Sequence, residues 1–198
     1  MKTRNVVTNR TIIIYDSEWT SWDGARSRSW SGPGEEKELV QIGMVKLANT
    51  QNLKEIDVFD VLIKPKINPV LSKYFIDLTG ITQEILEKYG KSFNKTLPSI
   101  ARFLGPDKIS VYCFGIKDKK VLEHNCILNN VKYPFSHAWF ISAIPKVAKF
   151  VGKPEHRMMS SRLPYEFGFN ALGEAHNALA DARCIAQALR VMRSANAF

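Results

Sequence analysis

The segment TIIIYDSEW (residues 11–19) runs three isoleucines and a tyrosine straight into two carboxylates, Asp16 and Glu18. Residues two apart on a strand share a face, so both acids project together if the strand continues through Ser17. Like charges in that position repel. They are tolerated where water bathes them or where a cation sits between them. Taken alone, the segment reads as an ordinary solvated strand end.

Two distant aspartates change the weighting. In "GIKDKKVLEHNC", Asp118 shares a helix face with Val121, Leu122 and Cys126, while Lys117, Lys119 and Lys120 take the polar side. An acid in the first turn is also favoured by the helix dipole without any function. In "HNALADARCIAQAL", Asp181 lies on a stripe with Ala178, Ile185 and Ala188. An unpaired charge there is costly, and an ion pair with a nearby Lys or Arg is the plain alternative.

Four acids set against the apolar logic of their own elements ask for one shared counter-charge. Hard oxygen ligands favour Mg²⁺ or Mn²⁺ over zinc. Four negative charges are enough for two such ions, and a pair of ions clamps the attacking and leaving oxygens in phosphodiester hydrolysis. His176 precedes Asp181 by five residues, at or just before the helix start. Histidine is the side chain suited to taking a proton from water at neutral pH, although a lone histidine is often structural.

The elements that must position these residues are mixed α/β. Strands are expected at 11–16, 39–47, 55–63, 108–115 and 136–142. Helices are expected from Thr82 as N-cap to Gly90, with Ile81 and Leu86 as a hydrophobic staple. Others are expected over 93–104 (with Pro98 inside it), 118–129, 143–151, 160–172 and 177–193. Residues 23–37, "DGARSRSWSGPGEEK", form a long Gly/Ser/Pro-rich loop of the kind that is functional or disordered. The expected architecture is a three-layer α/β fold around a mixed five-stranded sheet. The domain layout is one domain over 1–198, with residues 1–9 as an N-terminal arm.

Apolar residues make up 45% and charged residues 24% of the 198 residues, which suits a soluble globular chain. No apolar run approaches a membrane span, and the basic N-terminus lacks the apolar core of a secretory leader. A cytoplasmic, intracellular protein with no membrane partner is expected. Cys113, Cys126 and Cys184 fit neither a disulfide framework nor a zinc site and are read as reduced core residues. The net charge of +9 points to a polyanionic partner, nucleic acid first.

Together, "DSE" (Asp16, Glu18), "GIKD" (Asp118) and "HNALAD" (His176, Asp181) resemble the DEDDh exonucleases of the ribonuclease H-like superfamily, in order and in spacing. "ELVQIGMVKL", "LTGITQEIL" and the closing helix extend the resemblance over roughly residues 10–195. "DSEWTSW", "LTGITQEI" and "YPFSHAWF" look most like the ERI-type 3′ exonucleases, which trim RNA. The resemblance implies a ribonuclease H-like fold and 3′→5′ hydrolysis that releases nucleoside 5′-monophosphates. It implies two Mg²⁺ or Mn²⁺ ions on Asp16, Glu18, Asp118 and Asp181, and His176 as general base. Departures from the family pattern are Ser17, expected to point away from the metals at little cost, Gln41 in place of an acid, and Ala180 in place of a second acid.

Single-stranded 3′ ends, RNA ahead of DNA, are the expected substrate. Trp19 and Trp22 are candidate stacking platforms, and Arg26 and Arg28 candidate phosphate contacts, each with a packing or solvated alternative. Trp30 falls in the same loop. A DNA proofreading or repair subunit and a catalytically silent nucleic-acid-binding module are the competing readings.

Overall fold

The three isoleucines form the centre of the molecule. The computed structural model describes residues 11–106 and 109–198, and places them on β1 (Thr11–Trp19). Ile12 and Ile14 enter the apolar layer on one face of the sheet, while Ile13 and Tyr15 enter the layer on the other. A strand buried on both faces must be central, which is why its run is continuous rather than alternating.

β1 pairs antiparallel with β2 (Leu39–Ala48), and β2 pairs antiparallel with β3 (Glu55–Lys64). At the edge beside β3 is β4 (Lys91–Ser92), which pairs parallel to it. On the other side of β1 come β5 (Ser110–Cys113) and β6 (Phe140–Ser142), both parallel. The sheet order is β4-β3-β2-β1-β5-β6, so the sheet is mixed and has, among the described residues, six strands rather than five. The additional strand is two residues long, too short to leave a period in the sequence.

Helices cover both faces. On the Ile13 face lie α3 (Phe93–Leu104) and α4 (Lys117–Leu128). On the Ile12 face lie α5 (Ile144–Val151), α6 (Leu163–Phe167) and α7 (Ala178–Ser194). Two short helices, α1 (Lys73–Thr79) and α2 (Gln83–Tyr89), cover the end of β2 through Phe75, Ile81, Leu86 and Val40. They abut because Gly80 takes a left-handed conformation (φ 71°) that ends α1, and Thr82 then caps α2 by accepting from the Ile85 N–H.

Several expectations are corrected. α1 was not foreseen, since seven residues carry too little periodicity. The helix expected over 160–172 is a single 3₁₀ turn followed by the five-residue α6. The strand expected over 108–115 is Ser110–Cys113, with Lys108 outside the described residues, and that over 136–142 begins only at Phe140, after a 3₁₀ turn. The expected arm at 1–9 also lies outside the described residues. All three cysteines are free and buried. Among the described residues no helix is long and apolar enough to cross a membrane.

Candidate active site

The alternation that buries the isoleucines also aims the acids. Asp16 and Glu18 continue the Ile12–Ile14 face, toward α7, while Ser17 continues the Ile13–Tyr15 face, toward α4. β1 and β5 run parallel, and the chain leaves β5 through Gly115 into α4, so Asp118 arrives at the carboxyl ends of both strands. Binding sites in open α/β sheets form at such strand ends.

Asp118 is buried and reaches β1 directly. Its Oδ1 accepts from the Ser17 N–H at 3.2 Å and from the Ser17 hydroxyl at 2.9 Å. Ser17, expected to point away from the metals, faces away from Glu18 and bonds to Asp118. Burial pushes Asp118 up to about 7, against the pull of these hydrogen bonds. Asp16 is held well above the usual carboxylate range by burial, then by the charges of Asp118, Glu18 and Asp181. Glu18 is also held well above it, by burial and then by Asp181 and Asp118.

α7 delivers the remaining two groups. Asn177 caps it, its Oδ1 accepting from the Ala180 N–H at 3.1 Å. Asp181 sits in the first turn, where the helix dipole favours an anion. Its Oδ2 accepts from the backbone N–H of His176 at 3.1 Å. That bond closes a turn in which His176 holds a left-handed backbone (φ 62°), unusual for a non-glycine residue. Burial raises Asp181, and the neighbouring His176 opposes the shift. Ligand atoms of Glu18, His176 and Asp181 all lie within 4.8 Å of one another, a group able to hold a metal ion.

α7 can lie this close because β2 has a glycine, with no side chain, beneath Ala178 and Leu179. Gly43 pairs with Asp16 across the sheet, and a Cβ there would fall 2.2 Å from the Leu179 nitrogen. Gln41 pairs with Glu18. Its buried side chain accepts from the Ala178 N–H at 3.0 Å and donates to Asp60 Oδ1 at 2.9 Å, tying the start of α7 to β2 and β3. On the opposite face Asn125 pins α4, accepting from the Leu39 N–H at 3.0 Å and donating to the Lys37 carbonyl at 2.8 Å.

A contrast shows what the cluster lacks. Glu38 is an equally buried acid, but its carboxylate accepts backbone N–H bonds from Lys66, Ile67 and Asn68 at 2.6–2.8 Å. Among the described residues, no lysine or arginine pairs with Asp16, Glu18, Asp118 or Asp181. Convergent carboxylates with no cationic partner and hard oxygen donors fit a divalent cation.

The outlying candidates separate. Trp19 and Arg26 line a cavity together with Lys117 and Lys120 of α4. Trp22 is half-buried and does not line it. Arg28 donates to the Glu35 carboxylate and to the Asp23 carbonyl at 2.8 Å, within the loop itself.

An exonuclease family model of the RNase T type matches residues 13–189. The chain belongs to this exonuclease family. Rat 3'-5' exoribonuclease 1 is 28% identical, over 79% of this chain and 47% of the rat protein. The probable 3'-5' exonuclease KapD of Bacillus subtilis is 27% identical, over 89% of this chain and 81% of KapD. The chain thus spans about half the length of the curated exoribonucleases it matches. The nuclease domain of 3'hExo, a DEDDh family member crystallised with rAMP, superposes with a TM-score of 0.80 at 27% identity, over 92% of this chain and 91% of that one. E. coli exonuclease I shares the fold at 15% identity (TM-score 0.71), over 94% of this chain and 41% of that one. The mixed sheet with helices on both faces is the ribonuclease H-like fold, and the family is one that uses divalent metal ions.

Proposed function

We propose that this chain is a divalent-metal-dependent 3′→5′ exonuclease. It would remove nucleoside 5′-monophosphates from single-stranded 3′ ends, RNA ahead of DNA, with residues 1–198 acting as one exonuclease domain. The observation that carries the reading is the gathering of Asp16, Glu18, Asp118 and Asp181 at the strand ends beside His176, with no lysine or arginine among the described residues paired to them. The exoribonuclease relatives, and rAMP in the 3'hExo domain, favour RNA.

Asp16, Glu18, Asp118 and Asp181 would hold two divalent ions, magnesium or manganese, and these would stabilise the charge that builds on the phosphate. His176 is the general base. It is half-buried, beside Glu18 and Asp181, with its backbone fixed by Asp181, so its imidazole is poised to accept a proton from the attacking water. Ser17 orients Asp118 through two hydrogen bonds on a single oxygen. Gln41 and Asn177 fix the start of α7, which keeps Asp181 and His176 in register with β1.

Product identity tests this reading. RNA and DNA of the same sequence are incubated with the protein and the released species are separated by chromatography. Nucleoside 5′-monophosphates are expected, faster from RNA, and absent with Asp16→Ala. Nucleoside 3′-monophosphates, or unchanged release by Asp16→Ala, would overturn it.

A further inference from the structure

The end of the loop at 23–37 packs on α4 through Glu36 and Lys37, while most of its earlier residues are exposed. The Trp30 indole N–H donates to the Thr20 carbonyl at 2.9 Å, and its ring lies 6.3 Å from that of Trp19. Lys37 Nζ sits 4.5 Å from the Trp30 ring centre. Glu36 meets His124 on α4 at 2.8 Å, and Asn125 holds the Lys37 carbonyl. Between loop and helix this leaves a cavity of about 510 Å³. That volume lies within the range of about 300–1,000 Å³ typical of small-ligand sites.

The lining has a definite chemistry. Trp19 and Trp30 supply flat apolar walls, and Arg26, Lys37, Lys117 and Lys120 bring four cationic groups against the acids Glu35 and Glu36. Both acids are already engaged, Glu35 by Arg28 and Glu36 by His124. Among the described residues Arg26, Lys117 and Lys120 make no ion pair. The cavity therefore presents aromatic faces and uncompensated positive charge, the combination that holds a base and its phosphate without reading sequence. Its position is also constrained. Trp19 follows Glu18 on β1 and packs on its α4 side, and Lys117 precedes Asp118 in the first turn of α4, so the cavity lies on the α4 side of β1, one residue along the chain from each of these acids.

We propose that this cavity holds a nucleotide of the substrate strand upstream of the 3′-terminal one. The base lies against Trp19 and Trp30, and the phosphate faces Arg26, Lys117 and Lys120. The proposal rests on the exonuclease reading and adds to it a second seat that grips the strand behind the residue being removed.

Binding as a function of strand length tests it. Unlabelled oligoadenylates of two to eight nucleotides compete with a labelled strand for the full chain in EDTA, so that no turnover is needed. The protein gains affinity by about tenfold or more once the strand is long enough to enter the cavity. In Lys117→Ala/Lys120→Ala and in Trp30→Ala that gain falls below about twofold, whereas Trp30→Phe keeps most of it. Lys132→Ala/Lys149→Ala, which removes the same charge elsewhere, keeps the gain. An equal loss in that control, or an unchanged gain in the cavity variants, overturns the proposal. So does equal competition by free AMP, which would make this a mononucleotide site. The two readings fail separately. Cleavage with no length-dependent loss in the variants sinks the cavity alone. A length-dependent loss without any cleavage sinks the exonuclease reading alone.

Discussion

His176 has two features that a merely structural histidine does not need: a left-handed backbone and an N–H given to Asp181. If it is the proton acceptor, His176→Ala lowers kcat by roughly 10²–10⁴-fold, the usual worth of a general base, and leaves the thermal unfolding midpoint within a few degrees. Loss of folding, or a change in KM alone, would assign it a different role. The acids make a prediction of opposite sign for stability. Asp118 holds its proton up to about 7, whereas an unfolded aspartate releases it near 4. Between those values the folded state binds more protons than the unfolded, so the metal-free protein loses stability as pH rises through that window. Asp118→Asn keeps an oxygen for Ser17 and removes a repelling charge. At pH 8 without metal it should raise the unfolding midpoint by roughly 3–8 °C while abolishing activity. A lower midpoint, measured by calorimetry, would contradict this. The four candidate acids could be picked out because each charge contradicts the pattern of its own element, and His176 only through its place five residues before Asp181 and the family resemblance. Ser17 was not, because nothing local distinguishes a serine that bonds to a residue 101 positions away from one that faces solvent.

The element that decides the geometry of the cluster is α7, and its placement depends on what β2 omits. Gly43→Ala would put a methyl group into the backbone of Ala178 and Leu179. It should cost about 1–3 kcal/mol by overpacking and displace Asp181, so that the denaturant midpoint and activity fall together. Gln41→Ala strips the Ala178 N–H of its acceptor and Asp60 of its donor, a loss of about 1–3 kcal/mol on the same assay. An unaltered midpoint in both variants would mean that α7 is held elsewhere. The long elements could be read from sequence, because β1, β2, α3 and α7 carry enough period or β-branched runs. The short ones could not: β4 and α1 exist through contacts with β3 and β2 rather than through any pattern of their own. Gly43 escaped, and Gln41 was read only as a departure from the family pattern, for a related reason, since their partners on α7 lie more than 130 residues away.

At the scale of the whole molecule, the charge of +9 surrounds a centre that is itself acidic. A basic surface gathers a polyanion, while the acidic cluster repels it until cations intervene. Oligonucleotide affinity should therefore fall with salt. If about three phosphates are contacted, a plot of log affinity against log salt should have a slope near −2 for a single strand. A flat plot would place the charge elsewhere than on the substrate path. The fold is that of the exonuclease family, and the proposed function carries a polarity and a metal requirement. Both are read in one measurement, in which 5′-labelled single-stranded RNA is incubated with the purified chain and Mg²⁺, Mn²⁺ or EDTA and resolved on a denaturing gel. The expected result is a ladder shortening from the 3′ end with either metal, absent in EDTA and with Asp16→Ala. No shortening with any metal, shortening from the 5′ end, or a ladder that persists in EDTA would contradict a metal-dependent 3′→5′ exonuclease.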